Sequence, residues 1–494
     1  MSLAKKAASG FLWTTGATLG SRVVTIVSTF VLTRFLPPEI QGEVNLAYGL
    51  VLTAGTMTAI GVVQFLAANP EEGRDMAFHG TVLVLSTGLI ACLASILVAP
   101  FYGSLLGVEA LAQYVPGLAL AHFLDRITWV PRGVLVRDMR FRMVGLRVAV
   151  SELVFAASSV TFAYLGWGGF AIVAGNLVRG TVGILFSFSV TSWRDSLQPC
   201  KLVAEKFLRI IRFGAPITIA SLFHFGASNW DNSLMGFRFG EATVGLYNQA
   251  YRIADLPATN VGEQINDVLV PTFARLEDAD SRRRGLLRAC GLMAMLVFPM
   301  ALGLGAVAMT MVEVFYPPSY HGVAPFLIVL ATLSISRSIG TLAGGFLQVV
   351  GRTRGFIYID LLLVIMVLGL VWLLSAWGPV MSAVGVGIAF TVSVLLTIRA
   401  LAPDGITIRD VLAAVARPFV ACLPMIAAVV AMRIALLDSG MPAVARLLAE
   451  IGVGAAVYVG ACFVFAPAIT RDFLNLGLSV VRRRRAARAP EAAS

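Results

Sequence analysis

The chain of 494 residues has few charged side chains and no recognisable group of metal ligands. Charged residues make up 13% of it, about half the share that is usual in a soluble domain. The five cysteines and four histidines are scattered and form no C-x-x-C pair, so we expect neither a disulfide framework nor a metal site. A soluble catalytic domain is also excluded, because even the longest predicted loops, 194–207 and 273–287, are short.

Apolar residues make up most of what is present. The AVILMFWYC residues account for 58% of the chain, and the mean hydropathy is +0.85. A soluble chain of this length divides into domains with polar surfaces. Such domains could not bury so much apolar area. The composition therefore predicts an all-α integral membrane protein. The net charge of +11 does not indicate nucleic-acid binding, because the basic residues lie in short loops between apolar segments.

The apolar segments predict 14 transmembrane helices. A helix that crosses a bilayer needs about 20 predominantly apolar residues. We expect the first segment to be a retained helix and not a signal peptide, because it has the length of a full span and shows no convincing cleavage site. The predicted spans are 11–35, 42–68, 79–102, 111–136, 143–166, 168–193, 208–235, 243–272, 288–315, 322–350, 355–377, 380–400, 410–436 and 443–468.

The distribution of Lys and Arg predicts the orientation of these helices. If the N-terminus is cytoplasmic, the even-numbered connections and the C-terminal tail hold most of the 38 basic residues. The odd-numbered connections hold few, namely Arg34, Arg238 and Arg446. Cytoplasmic loops of membrane proteins carry an excess of this kind. We therefore expect both termini in the cytoplasm.

A short motif occurs twice and indicates an internal repeat. The pattern G-x-x-N-x-A-Y lies at 42–48 and again at 245–251, six predicted helices later. An even number of helices gives both copies the same orientation in the membrane, which predicts two parallel six-helix lobes with a pseudo-twofold relation. The predicted domains are an N-terminal lobe at 1–193, a cytoplasmic linker at 194–207, a C-terminal lobe at 208–402, two added spans at 403–470 and a basic cytoplasmic tail at 471–494.

Polar and charged residues within the spans are candidates for a binding cavity. In span one, Arg22 shares a helix face with Thr18 and Thr25. A mid-membrane arginine costs roughly 2.5–3.5 kcal/mol on insertion scales, so it needs water, a partner or a ligand. The candidate cavity cations are Arg22, Arg126, Arg179, Arg252 and Arg337. The candidate polar groove residues are Thr18, Thr25, Asn45 and Asn248.

Each buried charge also has a purely structural interpretation. Arg252 and Asp255 are i, i+3 neighbours, which can pair with each other. Glu152 can neutralise either Arg179 or Arg147. These alternatives stay open at the level of the sequence.

The chemistry of such a cavity favours an anionic and partly polar substrate. The guanidinium fork matches the oxygens of a phosphate. One close charge pair is worth about 4 kcal/mol at an effective dielectric near 20. Two or three arginines therefore suit a pyrophosphate, and the neighbouring hydroxyl and amide groups suit sugars.

Three stretches of the sequence carry a family resemblance. They are "GFLWTTGATLGSRVVTIVSTFVLTRFLPPEIQGEVNLA", "GLYNQAYRIADLPATNVGEQINDVLVPTFARL" and "LQVVGRTR". Over residues 8–360 the chain resembles the polysaccharide (Wzx-type) flippases of the multidrug/oligosaccharidyl-lipid/polysaccharide (MOP) exporter superfamily, and most of all the exopolysaccharide-exporting branch. The resemblance implies two six-helix bundles in a V with two further helices, as in MATE transporters. It also implies a cationic central cavity.

The resemblance further implies a function and its partners. The substrate is expected to be an undecaprenyl-pyrophosphate-linked oligosaccharide, which alternating access moves from the cytoplasmic to the periplasmic leaflet for exopolysaccharide or O-antigen synthesis. No cofactor and no bond-forming chemistry are implied, although a gradient of H+ or Na+ is a plausible driving force, for which Asp231, Asp255 and Glu152 are the candidates. Membrane lipids and polymerase or export machinery are the expected partners. We expect a monomer that binds no nucleic acid.

Two other functions fit the composition. A cation-coupled drug or metabolite antiporter of the same superfamily would have a cavity dominated by acids and aromatics, which the arginines disfavour. A polysaccharide polymerase or ligase would need a large extracytoplasmic loop, and the outward loops are short and nearly uncharged.

Overall fold

Every regular element in the described part of the chain is helical. The computed structural model describes residues 20–21, 23–69, 71–262, 278–352 and 354–475. The helices are α1 (Val23–Leu32), α2 (Pro38–Met57), α3 (Val62–Ala68), α4 (Arg74–Leu106), α5 (Val115–Ile127), α6 (Trp129–Arg137), α7 (Phe141–Tyr164), α8 (Phe170–Val190), α9 (Arg194–Leu197), α10 (Ala204–Ala254), α11 (Ala279–Phe315), α12 (Val323–Leu330), α13 (Leu333–Val349), α14 (Arg354–Leu374), α15 (Pro379–Arg399), α16 (Ile408–Leu436) and α17 (Ala443–Phe465). A π-helical turn, Ala258–Gly262, follows α10.

The described helices follow the predicted spans. Within the described residues, ten helices are long and apolar enough to cross a membrane, or 11 when the bent pair α2 and α3 counts as one span. The long helix α10 covers both the seventh predicted span and the start of the eighth. The fourth predicted span is divided between α5 and α6. The chain is therefore a multi-pass helical membrane protein, and the total of 14 spans stays a prediction.

Local sequence signals place several helix ends. Pro38 and Pro379 begin α2 and α15, where a missing amide hydrogen costs nothing. Gly107 ends α4 in the left-handed conformation, with φ of 70°. Thr407 and Asp410 form a capping box at the start of α16, in which each side chain bonds the other residue's backbone amide.

The second predicted span is broken near its middle. The axes of α2 and α3 differ by 43°, and Ile60 and Gly61 between them have φ of 50° and 54°. The break packs tightly on Gly214 of α10, because a Cβ atom there would lie 1.9 Å from the carbonyl oxygen of Ile60. A glycine at 214 is therefore required by the shape of the break.

A second interruption lies in α10 at Gly240, whose φ of 79° and ψ of 175° are not helical. Only glycine adopts this conformation without strain. It divides α10 into a first arm, 204–239, and a second arm, 241–254. The two arms correspond to the seventh predicted span and the beginning of the eighth.

Contacts divide the chain into two compact units. The first unit runs to Asn248 and includes Tyr316–Tyr320 and Val367–Pro379. The second comprises Gln249–Phe315, His321–Met366 and the chain from Val380 onward. The first arm of α10, predicted to open the C-terminal lobe at 208, thus belongs to the first unit. The predicted lobe boundaries themselves stay a prediction.

Each unit has its own apolar core. In the first unit, Ile210 of α10 joins a cluster formed by α3, α4 and α6, including Phe65, Met76 and Val130. In the second unit the larger cluster draws on α11, α13, α15, α16 and α17. There Tyr458 also donates a hydrogen bond to the carbonyl of Met295, 2.7 Å away. Such bonds matter in lipid, where water cannot replace a missing partner.

We predict that Gly214→Ala destabilises the protein. The new methyl group must displace the backbone of Ile60, and overpacking of this kind costs about 1–3 kcal/mol. Thermal unfolding in detergent micelles measures the effect. Gly369→Ala is the matched control, since nothing lies within 4 Å of its Cβ position; equal midpoints for the two variants would contradict the prediction.

Candidate functional site

In the first unit, a partly exposed arginine lies among groups from four helices. Arg179 of α8 approaches Glu152 of α7, with Nη1 3.6 Å from Oε1, and the two side chains are 28% and 26% exposed. Its Nη2 donates to the hydroxyl of Tyr48 on α2, 3.3 Å away. Its guanidinium lies 5.4 Å from the ring centre of Phe155. Thr25 of α1 donates to the other oxygen of Glu152 at 3.1 Å.

The second unit contains a similar arrangement. Arg337 of α13 pairs with Asp255, with Nη1 2.9 Å from Oδ1, and these side chains are 19% and 22% exposed. The same nitrogen donates to the hydroxyl of Tyr251 at 3.2 Å. The guanidinium lies 5.6 Å from the ring centre of Phe390.

The two arrangements share their chemistry and one repeated residue. Tyr48 and Tyr251 are the last residues of the two G-x-x-N-x-A-Y motifs. Each hydroxyl accepts a hydrogen bond from an arginine that is paired with a carboxylate and faces a phenylalanine ring. We call Arg179, Glu152, Tyr48 and Phe155 the first arginine set, and Arg337, Asp255, Tyr251 and Phe390 the second arginine set.

Arg126 has a different environment from these two arginines. It is fully buried and donates to the carbonyl of Gly55, to Oγ1 of Thr58 at 2.7 Å and to the carbonyl of Thr58 at 3.4 Å. These acceptors lie where α2 ends, at the break before α3. Arg126 therefore holds the broken helix, a role that the sequence did not predict, and its guanidinium is bonded to protein groups and buried in this structure.

The alternatives left open for Glu152 and Arg147 are now resolved. Glu152 lies beside Arg179, whereas Arg147 pairs with Asp125 at 2.8 Å and also donates to Thr128. Asp125 in turn accepts from the indole nitrogen of Trp129 at 3.3 Å. The charge of Arg147 is thus balanced within the protein.

The remaining candidate cavity residues are not members of either arginine set. Arg252 is exposed, and Asn45 is half-buried. Asn248 donates to the side-chain oxygen of Asn232 at 2.7 Å. Arg22 and Thr18 lie outside the described residues.

Asp231, a predicted ion-coupling residue, is fully buried. It accepts a hydrogen bond from the hydroxyl of Tyr247, which joins the two arms of α10. It also accepts from the backbone amide of Asn232 at 3.0 Å. Asp231 thus lies within the fold of α10, and the two other candidates, Glu152 and Asp255, lie within the arginine sets.

The structure brings together one group of metal-ligand side chains that the sequence analysis did not predict. Asp75, His79 and Cys200 offer ligand atoms within 4.8 Å of one another. However, Nε2 of His79 accepts from the amide of Val203 at 3.0 Å, which leaves the proton on Nδ1, 2.8 Å from the carbonyl of Asp75. Both ring nitrogens are therefore in use, and the group attaches the 198–206 segment to α4. The i, i+4 spacing of Asp75 and His79 was visible, but Cys200 was too distant in sequence.

Glu450 is a second buried group that the sequence analysis missed. It is fully buried in α17, and one carboxyl oxygen accepts from Thr310 of α11 at 2.7 Å. The other oxygen has no hydrogen-bond partner among the described residues. An ionisable group inside a span is a recognisable signal in the sequence.

A family model described as "Polysaccharide biosynthesis protein" matches residues 31–325. The chain belongs to this family. The predicted resemblance to the polysaccharide flippases is confirmed by this match and by the relatives that follow.

Two curated relatives cover about two thirds of the chain. The lipopolysaccharide biosynthesis protein WzxC of Escherichia coli (strain K12) is 24% identical over 356 residues, which are 71% of this chain and 72% of WzxC. The succinoglycan biosynthesis transport protein ExoT of Rhizobium meliloti (strain 1021) is 24% identical over 330 residues, 67% of this chain and 66% of ExoT.

Two solved structures show the fold of this family member. The lipid II flippase MurJ, in an inward closed conformation, has a TM-score of 0.74 at 14% identity, covering 94% of this chain and 100% of MurJ. An inward-facing MATE-family multidrug transporter of the MOP superfamily has a TM-score of 0.64 at 17% identity, covering 78% of this chain and 95% of the transporter. The predicted MOP-type fold is confirmed at this level, and the V arrangement of lobes stays a prediction.

The relatives also bear on the class of function. ExoT is named as a transport protein and MurJ as a flippase. These names agree with the prediction of a membrane transporter and not an enzyme.

We predict that Arg126→Met destabilises the protein. The carbonyl of Thr58 would lose its charged donor beside a buried side chain, and an unsatisfied buried group costs about 1–3 kcal/mol. The carbonyl of Gly55 would keep only its bonds from the amide and hydroxyl of Thr58. Thermal unfolding of the purified protein without substrate measures this loss. Arg194→Met, at an exposed position, is the control, and an equal midpoint for both variants would argue that Arg126 does not hold the break.

Proposed function

We propose that this protein is a flippase for an oligosaccharide linked to undecaprenyl pyrophosphate. It carries the repeat unit from the cytoplasmic to the periplasmic leaflet by alternating access, for exopolysaccharide or O-antigen synthesis. The observation that carries the proposal is the pair of partly exposed arginine sets, one in each unit. The names of WzxC and ExoT support the polysaccharide class of the substrate.

The arginine sets suit a pyrophosphate chemically. Arg179 and Arg337 are the members that combine a position within predicted spans with partial exposure. A guanidinium binds phosphate oxygens through two parallel hydrogen bonds, which are stronger than bonds between neutral groups. The phosphate can replace the carboxylate as the partner of the arginine, so that the cation stays paired throughout.

The carboxylates give these sets a means of coupling to ions. Nη1 of Arg179 and Oε1 of Glu152 are 3.6 Å apart, which is too long for a strong hydrogen bond. Protonation of Glu152 or Asp255 removes the competing charge and frees the arginine for the anionic substrate. We propose H+ as the coupling ion, with Na+ as the alternative and Asp231 as a third candidate carboxylate.

Polar residues near the sets suit the sugars. Asn45 lies on the same helix as Tyr48, and Asn248 lies on the same helix as Tyr251. Thr25 donates a hydrogen bond to Glu152. For Arg22 and Thr18 we keep the role that the sequence predicts, as a cavity cation and a polar groove residue. We further propose a bacterial inner-membrane location with both termini cytoplasmic, a monomeric state, and partners among membrane lipids and the polymerase or export machinery.

We predict that Arg179→Ala and Arg337→Ala each reduce polymer export at least about tenfold, because each loses about 1.4 kcal/mol or more of substrate interaction. Export is measured by polymer quantification in a deletion strain that carries the variant at unchanged membrane level. Arg194→Ala is the control. The deletion strain itself should accumulate lipid-linked repeat units on the inner leaflet.

Normal export from both arginine variants would contradict the proposed binding role. A drug-resistance phenotype without any change in export would instead favour the antiporter.

We also predict that Glu152→Gln and Asp255→Asn weaken the response of transport to a proton gradient. The amides keep a similar shape but cannot bind or release a proton. Translocation of the lipid-linked oligosaccharide into reconstituted vesicles, with and without a pH gradient, measures this response. The Glu205→Gln variant, altered at an exposed position in the first turn of α10, is the control. An unchanged stimulation by the gradient in both acid variants would exclude these carboxylates as the coupling groups.

A further inference from the structure

Within the first unit, the start of α2 contacts the second arm of α10 at very short range. A Cβ atom on Gly42 would lie 1.9 Å from the carbonyl oxygen of Glu241, 2.6 Å from its carbonyl carbon and 3.1 Å from its Cα. Real Cβ atoms do not approach other atoms so closely. The two backbones are therefore in direct contact, and no side chain larger than that of glycine fits between them.

The contact occurs a second time with the roles exchanged. A Cβ atom on Gly245 would lie 2.1 Å from the carbonyl oxygen of Pro38, 2.8 Å from its carbonyl carbon and 3.1 Å from its Cα. Gly42 and Gly245 are the first residues of the two repeated motifs, and Pro38 and Glu241 each lie four residues earlier. Each copy of the motif thus contacts the other copy in the same way, as in an isologous interface.

The position of this contact bears on transport. Pro38 begins α2 directly after the first connection, and Glu241 follows the interruption at Gly240. In the proposed orientation, both turns lie on the extracytoplasmic side of the membrane. Tyr48 and Tyr251 lie six residues further along their helices, roughly 9 Å deeper at 1.5 Å per residue.

We propose that Gly42 and Gly245 form the extracytoplasmic gate of the transporter. The gate closes by backbone contact alone and requires glycine in both copies of the motif. This inference rests on the proposed transport function, because alternating access demands that the side from which substrate leaves be closed at one stage and open at another.

The chemistry of the contact supports this role. Glycine within a helix costs about 0.5–1 kcal/mol relative to alanine, so two glycines at equivalent positions need a compensating benefit. Small residues allow membrane helices to approach until their backbones touch. The atoms in contact belong to the backbone, so the two helices can also separate here without breaking an ion pair at the contact itself.

The experiment measures the separation of the two helices by double electron–electron resonance. Spin labels are placed on cysteines at Phe35 and Phe237, which are both exposed and flank the contact. The five native cysteines are replaced by alanine, in a background that retains polymer export. Gly42→Ala, Gly245→Ala and the double variant are compared with Gly49→Ala, a control on α2 with nothing within 4 Å of its Cβ position.

We predict that both single variants shift the population from the short to the long label distance by roughly 10- to 100-fold, because one added methyl group prevents closure. The two shifts should be similar, and the double variant should add little, since either substitution opens the same contact. Export should fall in parallel, while Gly49→Ala leaves both measurements unchanged. A distance distribution of either variant equal to that of Gly49→Ala would overturn the proposal.

A second measurement does not depend on how well the glycine variants fold. In the labelled background with native Gly42 and Gly245, a cleavable bifunctional thiol reagent, matched to the shorter measured distance, links positions 35 and 237. Export should stop and return after cleavage, and undiminished export from the linked protein would also overturn the gate. Because the label distances need no substrate, a failed gate is distinguishable from failure of the arginine sets to bind pyrophosphate.

Discussion

A guanidinium group inside a membrane must be given partners by other helices, and this constraint organises the first unit. Arg126 is the extreme case, because it is fully buried and bonds backbone oxygens at the end of α2. Arg147 is balanced by Asp125, with a 2.8 Å contact. Arg179 has a looser arrangement with Glu152 and Tyr48. The exposure of the arginine side chain, 9% for Arg147 against 28% for Arg179 and 19% for Arg337, separates the structural arginines from the candidate functional ones.

The first and the last residue of the repeated motif make different contacts. Its first residue, glycine, allows the backbones of the two copies to touch. Its last residue, tyrosine, accepts a hydrogen bond from an arginine in each copy. In the first unit the two positions lie six residues apart on α2, so the close contact and the tyrosine of the first arginine set are carried by the same helix.

Several features of the site could be predicted from the sequence, and the reasons for the misses are physical. The sequence could suggest that Glu152 neutralises Arg179, because these two residues lie in adjacent predicted spans. The role of Arg126 was hidden, because its acceptors are backbone carbonyls at Gly55 and Thr58, which exist only where a helix breaks. The group of Asp75, His79 and Cys200 was also hidden, since it depends on the path of the linker.

By itself, the sequence determined that the chain is a multi-pass helical membrane protein, where most spans lie, and which residues form the repeated motif. These properties depend on apolar length and on local spacing, which are readable along the chain. Only the tertiary structure decided which arginines are consumed by the fold and which remain partly exposed. It alone also revealed that Gly42 faces Glu241 as Gly245 faces Pro38. Contacts between residues about two hundred positions apart arise from helix packing, and no local pattern encodes them.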